Sequence, residues 1–165
     1  METTIFNAKG EKLTTHTTQS TQYTGDVLSN ELYINHPTLW DIGKPYLYKA
    51  VTKLYENGVV KDEMSTTFGI RSIALKPNDG LYLNGRKIKI QGVCMHHDLG
   101  ALGGAVNEAA IRRQIRIMQD MGANTIRTSH NMPAPEYVRA ADEMGMLLAV
   151  ESFDEWAIPV SYTHL

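Results

Sequence analysis

The chain has 165 residues, 42% hydrophobic and 21% charged, and 16 bases against 18 acids leave a net charge of −2. That composition excludes collagen-like, low-complexity and disordered chains, and it shows no electrostatic footprint of a nucleic-acid binder. The one cysteine, Cys94, excludes an internal disulfide framework and a Cys-rich zinc module, and no apolar run approaches the ~20 residues that cross a bilayer.

The first part of the chain, to about Ala74, reads as β structure. Ala8-Lys9-Gly10 marks a turn, and Glu31-Leu32-Tyr33-Ile34-Asn35 alternates as a strand does. Residues 45–55 and 59–68 are two more extended runs, separated by Asn57-Gly58. Asn-Gly between apolar runs is a strong hairpin signal, because both residues tolerate positive φ. Short strands at this spacing predict an antiparallel sandwich. Only about five strands can be counted where an immunoglobulin-like sandwich has about seven, so the domain is expected to be incomplete at its N-terminus.

The second part changes period. Leu81-Tyr82-Leu83, Asn84-Gly85 and Lys87 to Ile90 form a small hairpin, and Gly92-Val93-Cys94-Met95 follows as an apolar strand. Asn107 is placed to cap a helix whose apolar stripe is Ile111, Ile115, Met118 and Met121, with Arg112, Arg113 and Arg116 outside and Gly122 at its end. Residues 123–128 form a second strand. Pro135 opens a second helix with Val138, Ala141 and Met144 as its stripe, closed by Gly145. Residues 146–150 are apolar throughout, as a strand covered on both faces must be. The order strand, helix, strand, helix, strand specifies a parallel sheet. A closed (β/α)8 barrel and an open doubly wound sheet both fit; the lack of a Gly-rich phosphate loop after the first strand favours the barrel.

Ligands of parallel α/β folds bind at the C-terminal strand ends, and the polar residues gather there. His96, His97 and Asp98 follow the first strand; Arg127, Ser129, His130 and Asn131 the second; Glu151, Asp154 and Glu155 the third. Imidazoles, a guanidinium and carboxylates converging on one end suit a polyhydroxylated ligand such as a sugar. No His-x-x-x-His spacing marks a metal site, and neither Ser129 nor Ser152 sits in a Gly-x-Ser-x-Gly elbow. Taken singly, each group also fits a solvated loop or a helix cap, and Cys94 on an apolar strand fits buried packing.

Gly80-Leu81-Tyr82-Leu83-Asn84-Gly85 and Ile90-Gln91-Gly92-Val93-Cys94-Met95-His96-His97-Asp98-Leu99-Gly100 resemble the entry to the catalytic barrel of family-2 glycoside hydrolases. Ile126-Arg127-Thr128-Ser129-His130-Asn131 and Glu151-Ser152-Phe153-Asp154-Glu155-Trp156 are similar to that family's second and third strand ends. Leu39-Trp40, Pro45-Tyr46-Leu47-Tyr48 and Phe68-Gly69-Ile70-Arg71 resemble its immunoglobulin-like sandwich. The His-His-Asp-Leu-Gly-Ala-Leu-Gly run looks most like the β-galactosidases. Glucuronidase, mannosidase and a non-catalytic sandwich module are the alternatives.

The resemblance implies a partial sandwich over residues 1–75 and the first three strands and two helices of a TIM barrel over 76–159. It implies a carbohydrate substrate, a β-galactoside, contacted by His96, Arg127, His130, Asn131, Glu151 and Asp154. It also implies a retaining mechanism with an acid/base and a nucleophile Glu on later strands. The only Asn-Glu pairs here, Asn30-Glu31 and Asn107-Glu108, do not match that site. No catalytic residue is therefore expected in the chain. Nor is a cofactor expected in it, although the full enzyme could take a divalent cation and form a homo-oligomer. The sequence departs from the family in carrying Met95 where many members have Arg, and Val150 before Glu151 where Asp is common. It also has Ala157 where some members have a metal-ligating His, which weakens a magnesium site at Glu155. Residues 160–165 do not resemble the family. They match the translation of a transposon end used in sequencing libraries, so family sequence is expected to stop at Pro159. No nucleic acid or membrane partner is expected, and the compartment stays open.

Overall fold

A computed structural model describes residues 1–19 and 31–152. The chain divides into two compact units, one of Met1–Trp40 with Tyr46–Arg71, the other of Asp41–Pro45 with the chain from Ser72 onward. Asp154, Glu155, Ala157 and the tail at 160–165 lie outside the described residues. Among the described residues, no helix is long and apolar enough to cross a membrane.

In the first unit, β1 (Glu2–Phe6), β2 (Lys12–Thr17), β3 (Leu47–Glu56) and β4 (Val59–Gly69) make one antiparallel sheet in the order β2-β1-β3-β4. Asn57 and Gly58 join β3 to β4 with φ of 52° and 78°, the paired positive values that match the strand twist. Trp40 is 1% exposed; its backbone N–H donates to the Ile70 carbonyl, and the Arg71 guanidinium stacks on its ring. The residues Leu39-Trp40 and Phe68-Gly69-Ile70-Arg71 thus meet in space. Residues 31–35, expected as a strand, are irregular. His36 at φ 48° followed by Pro37 breaks the extended run, and Tyr33 is largely exposed.

The second unit opens with β5 (Ile73–Lys76), β6 (Gly80–Leu83) and β7 (Arg86–Ile88), an antiparallel sheet. Then come β8 (Gly92–Met95), α1 (Glu108–Asp120), β9 (Thr125–Thr128), α2 (Pro135–Met144) and β10 (Leu147–Val150). The last three strands pair in parallel in the order β10-β9-β8.

Local chemistry sets the helix ends. Asn107 Oδ1 accepts from the Ala110 N–H at 3.0 Å. At the other end of α1, Gly122 N–H donates to the Gln119 carbonyl and Ala123 N–H to the Met118 carbonyl, closing a Schellman motif. Gly145 ends α2 at φ 73°. The core joins Ile111, Ile115, Ile126, Tyr137, Ala140, Ala141 and Met146. Two expected stripe residues lie outside it: Met121 is 68% exposed because the helix has already ended there, and Val138 points out because α2 buries Tyr137, Ala140 and Ala141 instead.

Candidate functional site

Parallel pairing decides which residues share a face. Cys94 pairs with Arg127 and Arg127 with Ala149, so these side chains leave the sheet on one side. Glu151 is two residues beyond Ala149 and returns to that side. Val93, Ile126 and Leu148, one residue out of phase, pack toward the helices. Cys94 is therefore exposed, not buried as its apolar neighbours suggested.

Arg127 and Glu151 form the centre. Arg127 Nε donates to Glu151 Oε1 at 2.7 Å, and Nη2 reaches the same oxygen. Arg127 Nη1 points at Cys94 Sγ, 3.3 Å away. The other carboxylate oxygen of Glu151, Oε2, is 3.2 Å from His130 Nδ1. The Glu151 N–H donates to Thr128 Oγ1 at 3.3 Å, tying backbone as well as side chain to β9. The His96 ring packs edge-to-face on that of His130, with centroids 5.3 Å apart. The Arg127 guanidinium, and after it the nearby Ser129 hydroxyl, hold the Cys94 thiol below the usual thiol range. Cys94 and Glu151 in turn push the Arg127 guanidinium up.

Beside this cluster a small cleft of about 20 Å³, room for one water, is lined by His96, Ser129, Asn131 and Tyr137 among others. Ser129 Oγ and Tyr137 Oη are enclosed there without a hydrogen bond of ordinary geometry, and burial pushes the Tyr137 phenol up to about 12. A larger cleft of about 440 Å³ lies on the sheet of the first unit, lined by Phe6, Leu47, Tyr48 and Val51 among others. Its walls hold no acid–base pair.

Of the residues singled out in the sequence, His96, Arg127, His130 and Glu151 come together, and Asn131 lies at the cleft. Asp98 turns into its own loop, its carboxylate accepting from the Gly100 N–H at 2.7 Å. Asp154 is outside the described residues. Cys94 and Thr128 join the cluster without having been singled out for it. Counting in twos from Arg127 across an in-register neighbour finds Cys94, but that register is not visible in an all-apolar strand. Among the described residues no group of three or more His, Cys, Asp or Glu side chains is placed to hold a metal ion.

The sequence signature of Glycosyl hydrolases family 2 matches residues 1–71, and that of the Glycosyl hydrolases family 2 TIM barrel domain matches residues 73–157. The chain belongs to glycosyl hydrolase family 2. This family-2 chain is 50% identical over 130 residues to a beta-galactosidase of Bacteroides ovatus, a match covering 79% of the chain and 15% of that protein. A beta-glucuronidase of Streptococcus agalactiae is 33% identical over 127 residues, covering 77% of the chain and 21% of that protein. Among solved structures, a family-2 member from Bacteroides cellulosilyticus superimposes with a TM-score of 0.86 at 33% identity, covering 98% of the chain and 21% of that structure. The family-2 chain thus spans about a fifth or less of the length of these relatives. A sandwich-type domain followed by the start of a TIM barrel is the architecture it shares with them. The parallel strands β8, β9 and β10 are therefore barrel strands, which decides between the two α/β arrangements the sequence allowed.

Proposed function

We propose that the chain belongs to a retaining β-galactosidase and contributes sugar-binding groups to its barrel mouth. The observation that carries this reading is the cluster His96–His130–Glu151–Arg127, assembled from three strand ends at one side of one parallel sheet. It offers hydrogen-bonding groups to a neutral polyol and, among the described residues, leaves no cation uncommitted at its centre. A glucuronide brings a carboxylate that calls for such a cation. Arg127, the guanidinium of the cluster, already has Nε and Nη2 on Glu151 and Nη1 on Cys94. The higher identity to a beta-galactosidase than to a beta-glucuronidase supports the same choice. β-Glucuronidase activity is the second reading, favoured by the number of relatives that bear that name.

A retaining glycosidase needs two carboxylates about 5 Å apart, one as acid/base and one as nucleophile. Glu151 is held by Arg127 and His130. Glu108 of the Asn107-Glu108 pair is paired with Arg112 and Arg139 on the helix layer. Neither forms such a pair, and the reacting carboxylates belong to later strands. The test is to recover the flanking coding sequence, express the protein at the length of its relatives, and compare nitrophenyl β-galactoside with nitrophenyl β-glucuronide. The reading expects kcat/KM to favour the galactoside and the 165-residue chain alone to hydrolyse neither above a blank. Preference for the glucuronide would establish the second reading, and hydrolysis by the chain alone would refute the placement of the carboxylates.

A further inference from the structure

We infer that Glu151 is a positioning residue: it fixes His130 in the tautomer whose Nε2 accepts a hydrogen bond. Both of its oxygens are engaged. Oε1 takes Nε and Nη2 of Arg127, and Oε2 lies 3.2 Å from His130 Nδ1. The Glu151 N–H donates to Thr128 Oγ1, tying its backbone to β9 as well.

A carboxylate accepts hydrogen bonds and has no hydrogen of its own to give. The hydrogen between it and His130 must therefore sit on Nδ1. A neutral imidazole carries one N–H, so Nε2 is left with a lone pair. Free histidine side chains in water favour the opposite tautomer, with the hydrogen on Nε2; the carboxylate reverses that preference. The His96 ring, edge-on at 5.3 Å, restricts the plane in which His130 can turn. What results is an acceptor of fixed direction at the barrel mouth. It suits a ligand that donates a hydroxyl hydrogen, such as a sugar alcohol group. This use of Nε2 rests on the β-galactosidase reading; the tautomer itself does not.

The experiment is a long-range 1H–15N correlation spectrum of the chain labelled in histidine, recorded at pH 8.5, above the ordinary imidazole range. Wild-type His130 is expected as the Nδ1–H tautomer. In Glu151→Gln the amide oxygen stays on Arg127, and an N–H replaces the oxygen facing Nδ1. His130 should then switch to Nε2–H, while His16 and His36 in the other unit keep their signals. Glu151→Ala should give the same switch by removing the acceptor. An Nε2–H tautomer in the wild type overturns the inference, as does an Nδ1–H tautomer that survives in a folded Glu151→Gln chain. Should both variants fail to fold, the wild-type spectrum alone decides. No sugar is present, so failure of the galactosidase reading leaves these spectra unchanged.

Discussion

Glu151 stands just beyond the end of β10, and Arg127 lies inside β9, yet Nε of the arginine donates to Oε1 of the glutamate at 2.7 Å. The contact follows from register. Arg127 faces Ala149 across the parallel pair, and Glu151, two residues on, emerges on the same side within reach of the long guanidinium stem. One charge pair thereby links two strand ends, with Cys94 on the third strand against the same guanidinium.

That third contact has a chemical consequence. The Arg127 guanidinium favours the thiolate of Cys94, which lies below the usual thiol range. Lowering the pKa raises the thiolate fraction near neutrality, and the thiolate is the nucleophile. Alkylation by iodoacetamide should therefore reach half its maximal rate at a lower pH than an ordinary thiol, for which the midpoint is about 8.5. In Arg127→Ala the midpoint should move up. An unchanged midpoint would show that Arg127 does not act on the thiol.

The helix layer carries its own pH dependence. Arg112 and, after it, Arg139 hold the Glu108 carboxyl below its ordinary range. Arg112 also pairs with Glu143 and Arg139 also with Glu108, so the network ties α1 to α2. A group lowered on folding contributes stability above its unfolded pKa and loses it as pH falls through the folded one. Glu108→Gln should therefore lower Tm at pH 7, and the gap to wild type should close on acidification below about pH 4. A gap independent of pH between 7 and 3 would contradict the assignment.

Glycine is required at the end of α2 for two reasons. Gly145 has φ 73°, and a Cβ there would stand 2.6 Å from Gly43 N, whose hydrogen bond goes to the Gly145 carbonyl. Gly122 at the end of α1 has φ 87° and open space around it. Gly122→Ala should cost about 1 kcal/mol of backbone strain. Gly145→Ala adds a backbone collision and should lower Tm by several degrees more. Equal losses in thermal unfolding would remove the collision from the account.

Much of this architecture is legible in sequence because its causes are local. Asn107, Gly122, Pro135, Gly145 and Asn57-Gly58 act within a few residues of themselves, and each does in space what its chemistry implies. The misplaced features depend on partners distant in sequence. Residues 31–35 alternate like a strand, but among the described residues no strand pairs with them, and His36-Pro37 ends the run. The stripe on α2 is shifted because Tyr137 and Ala140, not Val138, join the core cluster with Ile126. The outward face of Cys94, and the joining of Arg127, His130 and Glu151, follow from parallel register across 21 to 33 residues of chain. The residue types at the strand ends mark a candidate site; they do not say that Glu151 pairs with Arg127 and His130.

The most direct test of the sugar-binding role is kinetic, on the protein restored to the length of its relatives. His96→Ala and His130→Ala each remove an imidazole from the proposed sugar site, and His16→Ala removes one from β2 of the other unit. A lost hydrogen bond to substrate is worth about 1–3 kcal/mol, or roughly 5- to 150-fold in kcat/KM. The account predicts losses of that order on nitrophenyl β-galactoside for His96→Ala and His130→Ala, with His16→Ala unchanged. Values for the first two within about twofold of wild type would contradict it.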